Sequence, residues 1–497
     1  MSGAWLPWLV LASSLVTGLL IFALDETRHR LRSGLNLAGA LVKLGLVGLM
    51  LWGVYGGHEF EARYTLMPGI DFVLRADALA MLLVSLSALL WLFTTVYAIG
   101  YLEGSPHRSR FFGFFSLCVT ATMGLALAGN LFTFFLFYEL LTLSTYPLVV
   151  HRGTDRALRA GKLYLGYTLA GGAVLLVGII WLHGLAGNVE FTHGGSLEAL
   201  DPALHGELAI IFILLIAGLG VKAALVPLHG WLPVAMVAPA PVSALLHAVA
   251  VVKAGAFGIV RVVYEVYGIE FAADLNLLMP LAVVASVTIV YGSIRALSQN
   301  DLKKRLAYST ISQVSYIVLG TTLFGPMGTI GGLVHLVHQG IMKITLFFCA
   351  GNLAETLHIH RISEMNGVGR RMPWTMTAFT IAAFGMIGLP PTAGFISKWY
   401  LGLGALDAGM EWALLVLVAS TLLNAAYFLP ILHAAWFKPQ QGDWPRDEPR
   451  GRLETSAWLL WPPLITATLT LLAGLFAAAA ISPLEWARII TVREYVR

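Results

Sequence analysis

Apolar runs of about twenty residues, parted by short polar links, recur along the whole chain, and that length suits a helix crossing the hydrocarbon core of a bilayer. The pattern predicts an all-α polytopic membrane protein of about 14 spans, at approximately 5–24, 35–56, 77–100, 111–129, 131–150, 163–187, 207–226, 242–265, 273–294, 305–324, 327–354, 373–402, 411–436 and 455–482. The first stretch has no positively charged lead-in and no small-residue cleavage site, so it reads as a span and not as a signal peptide.

Two spans are interrupted in a similar way. One reads Lys222-Ala-Ala-Leu-Val-Pro227-Leu-His-Gly230-Trp231, the other Gly388-Leu-Pro390-Pro391-Thr-Ala-Gly394-Phe395-Ile-Ser-Lys398. Proline lacks an amide donor and clashes with the carbonyl four residues back, so each segment should divide into two half-helices. Backbone freed in this way survives in a membrane only against protein or water. A single proline kink commonly just shapes packing, whereas paired breaks near lysines point to internal repeats with an ion site between the half-helices.

Composition supports the bilayer reading: 58% of residues are hydrophobic and 12% charged, with a mean hydropathy of +0.78. The net charge of +4 comes from separate short links with no continuous basic patch, so nucleic acid is not an expected partner. Alternate links carry the bases. They are Arg28, Arg30 and Arg32; Arg108 and Arg110; Arg152, Arg156, Arg159 and Lys162; Arg295, Lys303, Lys304 and Arg305; Arg361, Arg370 and Arg371; and Lys438, Arg446, Arg450 and Arg452. The opposite links hold Glu190 and Asp201, Glu265, Glu270 and Asp274, and Asp407 and Glu411. The positive-inside rule then puts both termini on the non-cytoplasmic side, against which Arg488, Arg493 and Arg497 run. Cys118 and Cys349 lie far apart in apolar stretches and read as core packing.

Charges inside the spans carry the candidate chemistry. Glu139 stands mid-span, where an ionised side chain costs about 2.5–3.5 kcal/mol, so a cationic partner is expected. A structural ion pair or a protonated carboxyl is the plain alternative. Lys222, Lys253, Lys343 and Lys398 outnumber it. Desolvation disfavours an ammonium and a nearby carboxylate favours it, so such groups can pass protons as their surroundings change. Lys343 and Lys398 could instead snorkel to the interface, which suits Lys253 poorly. His247, His335 and His338 are relay candidates or packing residues, the latter two sharing a span with Lys343. No carboxylate stands near them at ligand spacing, so neither a metal nor a cofactor is expected. Lys43 lies in the second span without an obvious partner.

The chain resembles the antiporter-like subunits shared by proton-pumping complex I, membrane-bound hydrogenases and multisubunit Mrp-type cation/proton antiporters. The phrases that carry the likeness are Phe137-Tyr-Glu139-Leu, Val221-Lys222 with Pro227-Leu-His-Gly-Trp-Leu-Pro233, Ala238-Pro-Ala-Pro-Val-Ser-Ala-Leu-Leu-His247-Ala-Val-Ala-Val-Val-Lys253, Asp301-Leu-Lys303-Lys-Arg-Leu-Ala-Tyr-Ser309, and Gly388-Leu-Pro-Pro-Thr-Ala-Gly394-Phe. The resemblance implies two five-helix repeats of inverted topology. The chain would then divide into 1–110 (helices 1–3), 111–265 (first repeat), 266–437 (second repeat) and 438–497 (last helix and tail). It also implies that Glu139, Lys222, Lys253 and Lys398 are the charged positions of the fifth, seventh, eighth and broken twelfth helices, with His335 and Lys343 as relay positions on the eleventh. Gln339 stands where some members have a second histidine, with His338 beside it.

Among these relatives the chain looks most like the D subunit of an Mrp-type antiporter. The expected function is proton translocation within a multisubunit Na+/H+ antiporter of a cell inner membrane, with other membrane subunits as partners and H+ and Na+ as transported ions. The competing readings are a proton-pumping subunit of a complex I-like oxidoreductase or hydrogenase, whose redox groups lie on other chains, and an inorganic-carbon uptake subunit. No redox or hydrolytic site is expected in this chain, so whether it counts as an enzyme depends on the complex it joins.

Overall fold

The computed structural model describes residues 3–440, 442–444, 447 and 453–495; the link charges Arg446, Arg450, Arg452 and Arg497 lie outside the described residues. Helices α1 (Trp5–Phe22) and α2 (His29–Tyr55) precede a hairpin of β1 (Phe60–Met67) and β2 (Ile70–Ala76). Then follow α3 (Ala78–Tyr101), α4 (Arg108–Ala126), α5 (Leu131–Val149), α6 (Asp155–Ala186), α7 (His205–Ala223), the one-turn α8 (Trp231–Val234), α9 (Ala240–Ala248) and α10 (Val251–Arg261). The second half holds α11 (Ile269–Asp274), α12 (Leu278–Leu297), α13 (Leu302–Thr322), α14 (Pro326–Leu357), α15 (Val368–Arg371), α16 (Pro373–Ile387), α17 (Ala393–Asp407), α18 (Glu411–Phe437), α19 (Ala457–Leu475) and α20 (Pro483–Tyr495).

Among the described residues, twelve helical stretches are long and apolar enough to cross a membrane. The more polar α13 and the divided α16–α17 bring the number of passes to the expected fourteen. Polar caps begin several of them, because the first amides of a helix lack internal acceptors. Asp77 accepts from Ala80 N, Asn130 from Thr133 N, and Asp301 from Lys304 N. The span covering Ala240–Tyr267 is buried throughout and Pro326–Leu357 is buried over residues 328–353, and the two form the centre, while α1, α2, α18 and α19 turn Trp8, Trp52, Leu422 and Leu475 outward. Apolar residues all round a buried helix and an apolar outer face on the others are what lipid requires.

The structure adds to that reading in four places. The link at 60–76 is a hairpin: β1 and β2 pair antiparallel from Phe60 opposite Ala76 to Met67 opposite Ile70. Their alternating residues put Arg63 and Arg75 beside Glu190, at 2.6 Å each. The predicted continuous span 242–265 is interrupted at Val249 and Ala250, between His247 and Lys253, and runs on as a π-turn over Val262–Tyr267. No proline or glycine marks that site, so sequence carried no signal for it. The tail forms α20, whose Trp486 Nε1 donates to Ala78 O at 2.8 Å. Arg305 and Glu265, read as link charges, are buried. Arg305 bonds carbonyls of Leu297, Gln299 and Tyr427, satisfying the end of α12.

Candidate proton-relay site

The first break begins where α7 ends. Ala224 adopts φ +56, and Trp231 Nε1 reaches back to Val221 O at 2.8 Å, so the chain folds over at Pro227 and Gly230 while the tryptophan takes up a freed carbonyl. Lys222, in the last turn of α7, is fully buried. Its Nζ donates to the Tyr138 carbonyl and lies 3.4 Å from the centre of the Tyr138 ring. A cation is favoured both over an aromatic face and at a helix C-terminus.

Glu139 is the residue after that carbonyl's owner, yet among the described residues no ion pair joins it to Lys222 or to any other cation. The cationic partner expected for Glu139 is present as a neighbouring charge, Lys222, without a direct ion pair. Its side chain is half-buried against α6, and Oε1 is enclosed without a hydrogen-bond partner. Room for it comes from Gly172, where an added Cβ would stand 2.0 Å from Glu139 Oε1. The carboxylate and the lysine are therefore neighbours through the Tyr138 backbone, close enough to sense each other's charge and free to move independently.

Lys253 sits in the first turn of α10, just past the unexpected interruption, and its Nζ donates to Leu336 O at 2.8 Å. Leu336 adjoins His335, whose Nδ1 shares a 2.8 Å hydrogen bond with Ser397 Oγ. Ser397 precedes Lys398. Three candidates are thus brought into succession across α10, α14 and α17. Lys398 caps the second break: its Nζ donates to Met386 O, Ile387 O and Thr421 Oγ1 at 3.1, 2.7 and 3.1 Å. Snorkelling to the interface is thereby replaced by capping, since the ammonium satisfies carbonyls that Pro390 and Pro391 leave open. Gly388 makes this possible with φ +94, and a Cβ there would lie 2.6 Å from Lys398 Cδ. Gly394 packs on Gly385 O, bringing the two half-helices together.

Lys343 is fully buried and donates to Ser309 Oγ (2.7 Å) and Leu306 O (3.1 Å). His247 stacks on Phe347 with ring centres 4.6 Å apart, one turn from Lys343. The ring nitrogens of His247 and His338, the amide of Gln339 and Nε2 of His335 meet no well-formed hydrogen-bond partner among the described residues. Buried polar groups in that position are ordinarily completed by water. His338 touches none of the lysines through a hydrogen bond among the described residues. Lys43, unexplained by sequence, donates to Ser14 Oγ at 2.5 Å and lies 5.0 Å from the Trp91 ring, joining α1, α2 and α3.

Sequence reasoning missed one charged group. Arg261, fully buried, binds Asp77 through two bonds of 2.8 and 3.1 Å and also pairs with Glu265. Beside it His193 Nδ1 lies 2.8 Å from Glu494 Oε1, and donor atoms of His193, Glu265 and Glu494 fall within 4.8 Å of one another. The Glu494 carboxylate holds the His193 imidazole above its usual pKa. An i,i+4 Arg–Glu spacing in an apolar run was the available signal.

The residues between 128 and 424 match the family model described as NADH:quinone oxidoreductase/Mrp antiporter, transmembrane. The chain belongs to this family. It is 38% identical over 429 residues to the N subunit of the NADH-quinone oxidoreductase of Desulforudis audaxviator, covering 83% of each. With the D subunit of the Na(+)/H(+) antiporter of Bacillus subtilis it shares 28% over 405 residues, 81% of this chain and 80% of that one. A chain in the structure of the Mrp complex from Dietzia sp. superposes with a TM-score of 0.88 at 26% identity, over 99% of this chain and 98% of the other. The relay residues from Tyr138 to Lys398 fall inside the matched region, so this is an antiporter-like membrane subunit of the complex I/Mrp family, of the kind found in multisubunit membrane complexes.

Proposed function

We propose that this chain translocates protons as a subunit of a multisubunit monovalent cation/proton antiporter of a cell inner membrane. The observation that carries the reading is the set of interior lysines, Lys222, Lys253, Lys343 and Lys398, each held by carbonyls or hydroxyls and none ion-paired with a carboxylate among the described residues. A buried ammonium without a counter-charge costs several kcal/mol, so groups kept this way serve to bind and release protons. In the proposed order a proton passes from the Glu139 and Lys222 pair to Lys253, then by way of His335 to Lys398, with Lys343, His247 and His338 alongside. The break at Pro390–Gly394 supplies the unsatisfied backbone that holds Lys398, and Lys222 stands in the last turn before the break at Pro227–Gly230. Residues 111–265 and 266–437 act as the two repeats.

The 28% identity to the D subunit of a Na(+)/H(+) antiporter supports antiport of Na+ against H+, and the fold match to a chain of the Mrp complex supports further membrane subunits as partners. A second reading, proton pumping in a redox-driven membrane arm, is favoured by the 38% identity to a NADH-quinone oxidoreductase subunit. Purifying the native complex and identifying its co-purifying subunits separates the two. In proteoliposomes carrying a pH dye, a sodium gradient should drive proton movement under the first reading and a redox substrate under the second. Lys222→Ala and Glu139→Gln should remove most transport and leave assembly intact. Wild-type rates in both variants would end the relay proposal.

A further inference from the structure

Lys343 and Lys398 are joined by side chains to which the relay assigns no part. Lys343 Nζ donates to Ser309 Oγ on α13 at 2.7 Å. The Tyr427 hydroxyl on α18 lies 2.8 Å from that oxygen and 2.5 Å from Asn424 Oδ1, one turn earlier on α18. Asn424 Nδ2 donates to Met386 O at 3.2 Å, and Lys398 Nζ donates to the same carbonyl at 3.1 Å. Ser309, Tyr427 and Asn424 are all fully buried. Each link from Lys343 to the Met386 carbonyl is thus a buried hydrogen bond where water does not compete, and the last, from Lys398, is part-buried.

The chain can run in two directions. A tyrosine hydroxyl has one hydrogen to give, and an amide oxygen can only accept. With Lys343 as ammonium, donors run from lysine to serine, serine to tyrosine, tyrosine to asparagine, and asparagine to the Met386 carbonyl. Every acceptor is then filled. A neutral Lys343 amine has one donor fewer and a lone pair in its place; with that lone pair turned to Ser309 and the remaining hydrogens serving Leu306 O, it takes the Ser309 hydrogen, Ser309 Oγ takes that of Tyr427, and Asn424 Oδ1 is left bare. A buried acceptor stripped of its donor is costly, which favours a shift of Asn424 and of the carbonyl it shares with Lys398.

We propose that Ser309, Tyr427 and Asn424 are positioning residues that transmit the protonation state of Lys343 to the second helix break and so to the hold on Lys398. Neither an amide nor a peptide carbonyl passes a proton onward, so the chain conveys hydrogen-bond direction and conducts nothing. The titratable and charged groups facing it are Lys253 and His247 near Lys343, Arg305 on the Tyr427 carbonyl, and Tyr316 and His335 near Lys398. The inference rests on the proton-translocation reading for its purpose, though not for its test.

The test uses the intact complex. Amide hydrogen exchange over residues 384–392, corrected for intrinsic chemical rates, is followed across pH in wild type, in Tyr427→Phe and in Lys343→Gln. In wild type the protection should change by about three- to tenfold, the worth of one hydrogen bond. It should stay flat in both variants. A flat wild-type profile, or wild-type behaviour in Tyr427→Phe, overturns the coupling. Ser309→Ala breaks the same chain from its other end and replaces Tyr427→Phe if that variant does not assemble. Proton transport in proteoliposomes should fall by about three- to tenfold in the same variant, and undiminished transport also overturns the coupling. A wild-type complex that moves no protons but shows Tyr427-dependent exchange refutes the translocation reading and leaves the coupling standing.

Discussion

Replacing Gly172 by alanine tests the placement of Glu139 without altering any charge. The added Cβ would stand 2.0 Å from Glu139 Oε1, where ordinary contact begins at 3.4 Å, so the carboxylate must retreat by about 1.4 Å. The obstacle is the far end of a flexible side chain, not backbone. The fold should therefore absorb the change at about 1 kcal/mol or less, the low end of overpacking costs. Function is more sensitive, because displacing a reacting group by about 1 Å can cost on the order of a hundredfold in rate. Gly172→Ala is expected to slow proton uptake in proteoliposomes by about tenfold or more. Its melting temperature and its assembly on native gels should match wild type. Wild-type transport by a correctly assembled Gly172→Ala complex would show that the position of the Glu139 carboxylate against α6 does not matter, and the reasoning would fail.

Gly388→Ala should lower stability by about 1–2 kcal/mol from its left-handed backbone alone, and it should also push on Lys398 Cδ at 2.6 Å; scanning fluorimetry of the purified complex checks this, and an unchanged transition would count against it. Arg261→Met leaves Asp77 and Glu265 buried without their cation, which should cost about 3–5 kcal/mol, and adding Glu265→Gln should recover part of the loss in the same measurement. His193 is raised above its ordinary value near 6.5 by Glu494, so its contribution to holding α20 is complete below that pH and is lost as pH rises through the higher folded value. Exchange of α20 amides should accordingly quicken on the alkaline side, and His193→Ala should show the quick rate throughout. Glu190 shows the opposite sign. Its bonds to Arg63 and then Arg75 hold its carboxyl below the usual range, so the hairpin should loosen only as acid protonates it, an effect Glu190→Gln would abolish.

Much of the candidate site was legible because burial makes a charge conspicuous. Glu139, Lys222, Lys253 and Lys343 stand out in apolar runs whose lengths match a bilayer, and the prolines at 227, 390 and 391 announce helix breaks through a missing amide. The hairpin did carry a signal, Pro68-Gly69 between two runs of strand-forming residues, which is passed over when 57–76 is treated only as a link between spans. The interruption at Val249–Ala250 was hidden because no proline or glycine stands there to signal it. Arg261 was overlooked since a lone arginine near a span end resembles a topology signal.

The sequence alone determined that the chain crosses a bilayer many times, which residues carry charge into the interior and where two helices part, because each follows from local chemistry: apolar length, ionisable groups and missing amides. Only the tertiary structure decided what each charge faces. That Lys222 lies on the Tyr138 carbonyl and ring instead of pairing with Glu139, that Lys398 closes the end of α16, and that Ser309, Tyr427 and Asn424 link Lys343 to it all depend on residues far apart in the chain. A hydrogen bond is set by distance and direction in space, and no pattern along a single strand of sequence encodes either.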